Sequence, residues 1–368
     1  LSIYLLSVVQ NNVTISGHPI RLKKQSYACQ LYLNRDKSYD NNLLHSSIIF
    51  QNLIFLKNEL FIGNVSLYFR NVVFDSASIT DIEPKRPTRD QNQVYLIFEH
   101  IHWLAKSRNR KNEINLTNTW FLHFKIFSGK LIGTTIYVEC IYCAINVQNI
   151  VYNEGVLAAT DYCGLLCIYR QTKVSHELVY FITRNIVSLS NIQVEDTWLS
   201  KDMALIKLCL ISIIFQLHNS SFINTNQVIS IQQNEQHKNY GYLIEVSIKN
   251  TKFVNCLGQK FGGAMVAHIF DRLLVKANFE IANSSFVNST CDLSGGAIYI
   301  GAEQYISFKN SFVSVSLVQC LFLNNLARKT GGSIHITAGI YLEIFNSTFM
   351  IDDTMGVEVP KGLFLVCY

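Results

Sequence analysis

The sequence predicts an all-β chain wound as a parallel β-helix, and three observations carry that prediction. One eight-residue pattern recurs along the 368 residues, the spacing between copies varies, and a glycine pair follows an aromatic at one fixed distance in three successive copies. Repeats of 20–50 residues mark solenoids, in which a unit that cannot bury its own apolar face is buried by its neighbours.

The pattern is plainest in LEIFNSTF (342–349): apolar, any, apolar, any, Asn, any, any, aromatic. IIFQNLIF (48–55), LYFRNVVF (67–74), INLTNTWF (114–121), INVQNIVY (145–152), FQLHNSSF (215–222), VSIKNTKF (246–253) and FEIANSSF (279–286) fit it fully. LIFEHIHW (96–103), VSLSNIQV (187–194) and VSLVQCLF (315–322) fit it loosely, departing at His100, Val194 and Gln319. The polar keystones are thus Asn52, Asn71, His100, Asn118, Asn149, Asn191, Asn219, Asn250, Asn283, Gln319 and Asn346, with gaps of 18 to 42 residues.

Each copy begins with the period-2 alternation of a half-buried strand. Its Asn marks a turn, because the short amide tolerates left-handed backbone and bonds nearby backbone groups. The aromatic that follows takes up the next inward position. A helical solenoid would alternate with period 3.6, a leucine-rich repeat would need regular Leu spacing, and a propeller would need longer, uniform blades. A parallel β-helix absorbs gaps of 18 to 42 residues as loops. Asn250, Asn283 and Asn346 are expected to stack at one turn, and Phe253, Phe286, Phe322 and Phe349 inside the coil beside it. Ser284, between the two positions, is expected to tolerate replacement.

Phe253, Phe286 and Phe322 each precede a glycine pair at the same distance: Gly262-Gly263, Gly295-Gly296 and Gly331-Gly332. Each pair leads into a strand-like run (AMVAHI, AIYI, SIHI), as a sharp corner between coils requires. A phosphate cradle would need GxxxxGK[ST] or GxGxxG, and neither occurs.

FVNSTCDLSGGAIYI and FLNNLARKTGGSIHI resemble the FxxN and GGAI repeats of chlamydial polymorphic outer membrane proteins and related repeats of protist surface proteins. Only Phe322 to Asn325 reproduces FxxN strictly; Phe253 and Phe286 have Asn two residues on. The resemblance spans about 219–353, and the earlier coils share the pectin-lyase-like style without the signature. It implies a right-handed parallel β-helix, a pectin-lyase-like solenoid, secreted or displayed on a cell surface. The implied role is structural or adhesive and non-catalytic, with glycans or surface proteins as partners and no cofactor.

Composition agrees with an extended sheet protein: 49% hydrophobic, 15% charged, net charge +5, mean hydropathy +0.18. Around 25% charged is usual for a soluble domain. The basic clusters KSRNRK (106–111) and KRPTR (85–89) read as solvated loops, and no nucleic-acid motif accompanies them. MALIKLCLISIIFQL (203–217) is interrupted by Lys207 and too short to span a bilayer, so it reads as strand. LSIYLLSVV at the start resembles the tail of a signal peptide without an initiating Met or basic n-region. The chain is therefore expected to be a single β-helix domain (1–368) from a longer protein, with membrane attachment only through parts outside it. Residues 1–45 are a candidate N-terminal cap and 75–93 a protruding loop.

Pectin-lyase-like folds also carry polysaccharide lyases and glycoside hydrolases, so a carbohydrate-active enzyme is the alternative function. Such enzymes need paired acids on one face. Asp352-Asp353, Asp292, Asp81 and Asp90 offer no pair at equivalent points of adjacent coils, and the NTD, GHG and RIK segments of glycosidase-like chains are absent. A trimeric spike is a third reading. No residue is assigned a catalytic, cofactor-binding or metal-binding role.

Of ten cysteines, CIYC (140–143) and CGLLC (163–167) resemble the paired ligands of a zinc ribbon, although the second spacing is wrong; disulfides and buried thiols are the other readings. His335 reads as an ordinary strand residue. Seven Asn-x-Ser/Thr sequons occur, at Asn12, Asn64, Asn115, Asn219, Asn283, Asn288 and Asn346. Asn219, Asn283 and Asn346 are keystones and are expected to be too enclosed for a glycan. Asn12, Asn64, Asn115 and Asn288 are the candidate acceptors.

Overall fold

The computed structural model describes residues 13–16, 30–33, 47–56, 59–63, 66–75, 96–105, 112–122, 125–140, 143–153, 156–159, 166–169, 185–199, 204–209, 212–232, 242–269, 275–302, 312–337, 340–350 and 363–365, almost all strand, and no helix occurs among them. Strands pair in parallel, and each pairs with strands about one repeat away in the chain. Ser212–His218, for example, lies between Asn185–Leu199 and Tyr242–Lys249. Parallel neighbours cannot be joined by a hairpin. The chain therefore leaves each strand for a second sheet before returning beside its earlier self. The result is long stacked parallel sheets.

One coil illustrates the plan. Ser212–His218 and Ser221–Asn226 lie in the first sheet, and Ile229–Gln232 lies in the second. The next coil repeats this with Tyr242–Lys249, Lys252–Leu257 and Met265–Ile269. Alternation sorts the side chains: Ile213, Phe215 and Leu217 are buried, while Ile214, Gln216 and His218 point outward. The segment 203–217 accordingly divides into Ile206–Cys209 in the second sheet and Ser212–His218 in the first.

The aromatic positions of the pattern fall into one register column: Phe55, Phe74, Phe121, Tyr152, Val194, Phe222, Phe253, Phe286, Phe322 and Phe349. The keystones Asn52, Asn71, Asn118, Asn149 and Asn191 align likewise, bracketed by paired residues on both sides.

LIFEHIHW departs from this plan. Leu96–Ala105 pairs with Glu59–Gly63 and Lys125–Cys140 in the second sheet, so His100 lies outside the first-sheet keystone column. Alternating apolar residues serve either sheet equally well, and without Asn nothing in that stretch specifies the first.

In the expected cap, Val13–Ser16 and Gln30–Leu33 already pair as coil strands with Ile48–Gln51 and Glu59–Ile62. The expected loop lies outside the described residues from 76 onward, as do Asn12 and Asn64.

Candidate functional site

The candidate site is the outer face of the first sheet with the two turn columns that frame it. The first column contains Asn149, Asn191, Asn219, Asn250, Asn283, Gln319 and Asn346, all with φ between 47° and 54°. Non-glycine residues rarely adopt this left-handed conformation, and Asn is among the few that do so readily. The turn, not the side chain's burial, therefore selects Asn. All seven are exposed at the edge, which corrects the expectation that Asn219, Asn283 and Asn346 are enclosed.

A second column escapes the eight-residue pattern. Asp196, Asn224, Asn255, Asn288 and Asn324 have φ of 46° to 54°, each five residues after a member of the first column. The signal in the sequence is Phe-x-Asn, which recurs at 222–224, 253–255, 286–288 and 322–324. Asn288, a candidate glycan acceptor from sequence, belongs here. Asn325, the FxxN residue proper, is instead interior: its Nδ2 donates to the Phe286 carbonyl and its Oδ1 accepts from the Ser289 N–H, both at 2.9 Å.

The amides form rails. Asn191 Nδ2 donates to Asn149 Oδ1 at 2.9 Å and Asn250 Nδ2 to Asn219 Oδ1 at 3.1 Å. In the second column Asn224 donates to Asp196 at 2.8 Å, Asn255 to Asn224 at 2.7 Å and Asn288 to Asn255 at 3.2 Å.

The residue after each keystone turns inward. Ser220, Thr251, Ser284 and Cys320 are buried. Ser284 is 2% exposed; its Oγ donates to the Ala282 carbonyl at 2.9 Å and accepts the Thr251 N–H at 3.2 Å. Ser220 and Ser347 take the same role towards Ile192 and Cys320. The expectation that Ser284 tolerates replacement is thus corrected: this hydroxyl column satisfies backbone groups that the turns free.

Inside, the rings of Phe222, Phe253, Phe286, Phe322 and Phe349 form one stack, with centroids 5.4, 4.8, 4.8 and 4.7 Å apart. The glycine pairs align at the opposite corner. Gly295 has φ of 70°, closed to most side chains. Gly263 donates its N–H to the Gly296 carbonyl at 2.8 Å, and a Cβ there would lie 2.6 Å from that same oxygen. Gly262 and Gly331 repeat the left-handed turn, and Gly332 ends the column of close approach begun by Gly263 and Gly296.

On the second sheet an aromatic cluster gathers around Tyr299, which is 7% exposed. Tyr299 contacts Phe261 at 4.3 Å and His268 at 5.5 Å, and stacks on His335 at 5.2 Å. Thr330 Oγ1 lies 3.0 Å from His335 Nδ1 and 2.7 Å from Ser294 Oγ. Burial holds the His335 imidazole below its ordinary pKa of 6.5. His335 therefore joins a packed surface cluster, in the register that pairs it with Tyr299.

Several acids are held singly. Glu280 pairs with Lys249 at 2.7 Å, Asp292 with Arg328 at 3.4 Å, Asp196 accepts from Asn224, and Glu343 accepts from Tyr341 at 2.8 Å. Among the described residues no group of three His, Cys, Asp or Glu side chains could hold a metal. Asp81, Asp90 and Asp352-Asp353 lie outside them. Cys209, Cys256, Cys291 and Cys320 are free thiols. Burial pushes Cys256 up to about 12 and Cys291 up to about 11. Cys140 and Cys167 lie in neighbouring strands of the second sheet, but Cys167 is in register with Tyr137; Cys163 lies outside the described residues. Asn115 is in strand Asn112–Leu122.

No family model, curated protein or solved structure matches this chain.

Proposed function

We propose that the chain is a right-handed parallel β-helix of the pectin-lyase-like kind, part of a secreted or cell-surface protein, with a non-catalytic structural or adhesive role. Right-handedness follows the rule for crossovers between parallel strands of one sheet. The observation that carries the functional reading is the outer face between the two amide rails. It offers alternating polar or charged and apolar side chains, such as Ser221 and Ile223, Lys252 and Val254, Ser285 and Val287, repeated in register from coil to coil. A repeated, periodic surface suits a repeated ligand such as a glycan chain or an extended segment of another surface protein. General acid/base chemistry would need two acids converging on one bond; Glu280 and Asp292 are each occupied by a cation instead.

A glycan array run beside a polysaccharide-degradation screen tests this. The expected result is binding to at least one glycan class, or to a surface protein, without depolymerisation. Shortened products that arise with the intact chain and vanish after heat denaturation would overturn the non-catalytic reading.

A further inference from the structure

The amide nitrogens divide eight of the turn asparagines into two groups. Asn191, Asn224, Asn250, Asn255 and Asn288 each commit Nδ2 to a side-chain oxygen of the preceding coil. Among the described residues, Nδ2 of Asn219, Asn283 and Asn346 donates to no such neighbour, though all three are exposed in the same column. These three are the keystones that stand in sequons: Asn219-Ser220-Ser221, Asn283-Ser284-Ser285 and Asn346-Ser347-Thr348.

Their placement is also regular. From Asn219 onward along the first column, sequon and non-sequon residues alternate: Asn219, then Asn250, then Asn283, then Gln319, then Asn346. Neighbouring strands lie about 4.8 Å apart, so successive sequons are roughly 10 Å apart. A sugar attached at every coil would collide with its neighbour, whereas every second coil leaves room for one stem. The middle residue of each sequon is inward, but Ser221, Ser285 and Thr348 sit on the outer face of the first sheet. Acceptor amide and sequon hydroxyl are therefore both on the solvent side.

We propose that Asn219, Asn283 and Asn346 are N-glycan acceptors that set a file of glycans along one edge of the solenoid, one at every second coil. An N-linked sugar replaces a hydrogen on Nδ2 and needs open surface. At Asn288 that nitrogen lies 3.2 Å from Asn255 Oδ1, so a sugar there would push between two coils. Asn288 stays bare. The site rests on the secreted reading above, since the sugar is transferred in the secretory pathway.

The test is expression of the full chain behind a heterologous secretion leader in a eukaryotic host. Glycan release in heavy-oxygen water and peptide mass spectrometry then locate the sites. Labelled Asp is expected at 219, 283 and 346 and not at 288. Ser221→Ala, Ser285→Ala and Thr348→Ala, which leave the buried hydroxyls in place, should each remove one glycan mass step while secretion continues. Glycan at Asn288, or none at two or more of the three keystones in secreted protein, overturns the proposal. Surface labelling of the protein in its natural cell tests the localisation separately. Keystones glycosylated in the host beside a natural protein that is internal and bare would sink the surface reading and leave the site's capacity standing.

Discussion

At the scale of single residues, the left-handed turn and the inward hydroxyl beside it have opposite sensitivities. Asn283 has φ of 49° and an exposed amide, so its value is conformational. Asn283→Ala should cost on the order of 1 kcal/mol, because Ala lacks the short polar side chain that lets Asn offset the strain of left-handed backbone. Asn283→Gly should cost little, and urea midpoints compare the two; equal losses would show that the amide matters for another reason. Ser284→Ala removes an acceptor from the buried Thr251 N–H and should cost about 1–3 kcal/mol, more than its conservative appearance implies. His335 adds a pH dependence. Its folded pKa is depressed by burial, so its contribution is complete above the unfolded value of 6.5 and is lost as pH falls below it. The urea midpoint should decline between pH 7.5 and 5.5, and His335→Phe should flatten that part of the slope. An unchanged slope would remove His335 as its source.

At the scale of the element, the first-sheet strand was legible and the second turn was not. The alternation, the keystone and the aromatic fixed a register that runs from Phe55 to Phe349. Only Ile223 separates Phe222 from Asn224, too short a stretch for the alternation to break visibly. The strand at Leu96–Ala105 failed for the complementary reason: alternation says that one face is buried, not which sheet buries it. The glycine corner was legible because two glycines side by side in three coils have few other uses. Gly263→Ala should place a methyl against the Gly296 carbonyl and force the coils apart locally. A loss of roughly 1–3 kcal/mol is expected in thermal or urea unfolding. Within the coil, Phe286→Ala should cost about 3–5 kcal/mol, since the ring touches a stacked partner on both sides. A loss below about 1 kcal/mol would mean that the stack collapses into the gap.

At the scale of the whole molecule, each coil leans only on its neighbours, and stability is a sum of local interfaces. Among the side chains described, those of the first-sheet strands at 341–350 are the least covered: Ile344 is 38% and Phe345 61% exposed, whereas Leu317, in register with Ile344, is buried. Opening should therefore begin there. The free thiols report it, because buried, protonated sulfur reacts only when its coil opens. Pulse alkylation in rising urea should modify Cys320 before Cys256; simultaneous labelling would show one concerted unit instead. The rails add a directional property to this stack. The side-chain bonds from Asn191, Asn224, Asn250, Asn255 and Asn288 each run from the later coil to the earlier one. Aligned amides reinforce one another, as peptide groups do along a helix. The second rail, unbroken from Asn288 through Asn255 and Asn224 to Asp196, is thus a small electric dipole laid outside the backbone, with its positive end towards the earlier coils. On the second rail that end meets the Asp196 carboxylate, which caps the column as an acidic residue caps the start of a helix. The solenoid has a head and a tail electrically as well as in sequence.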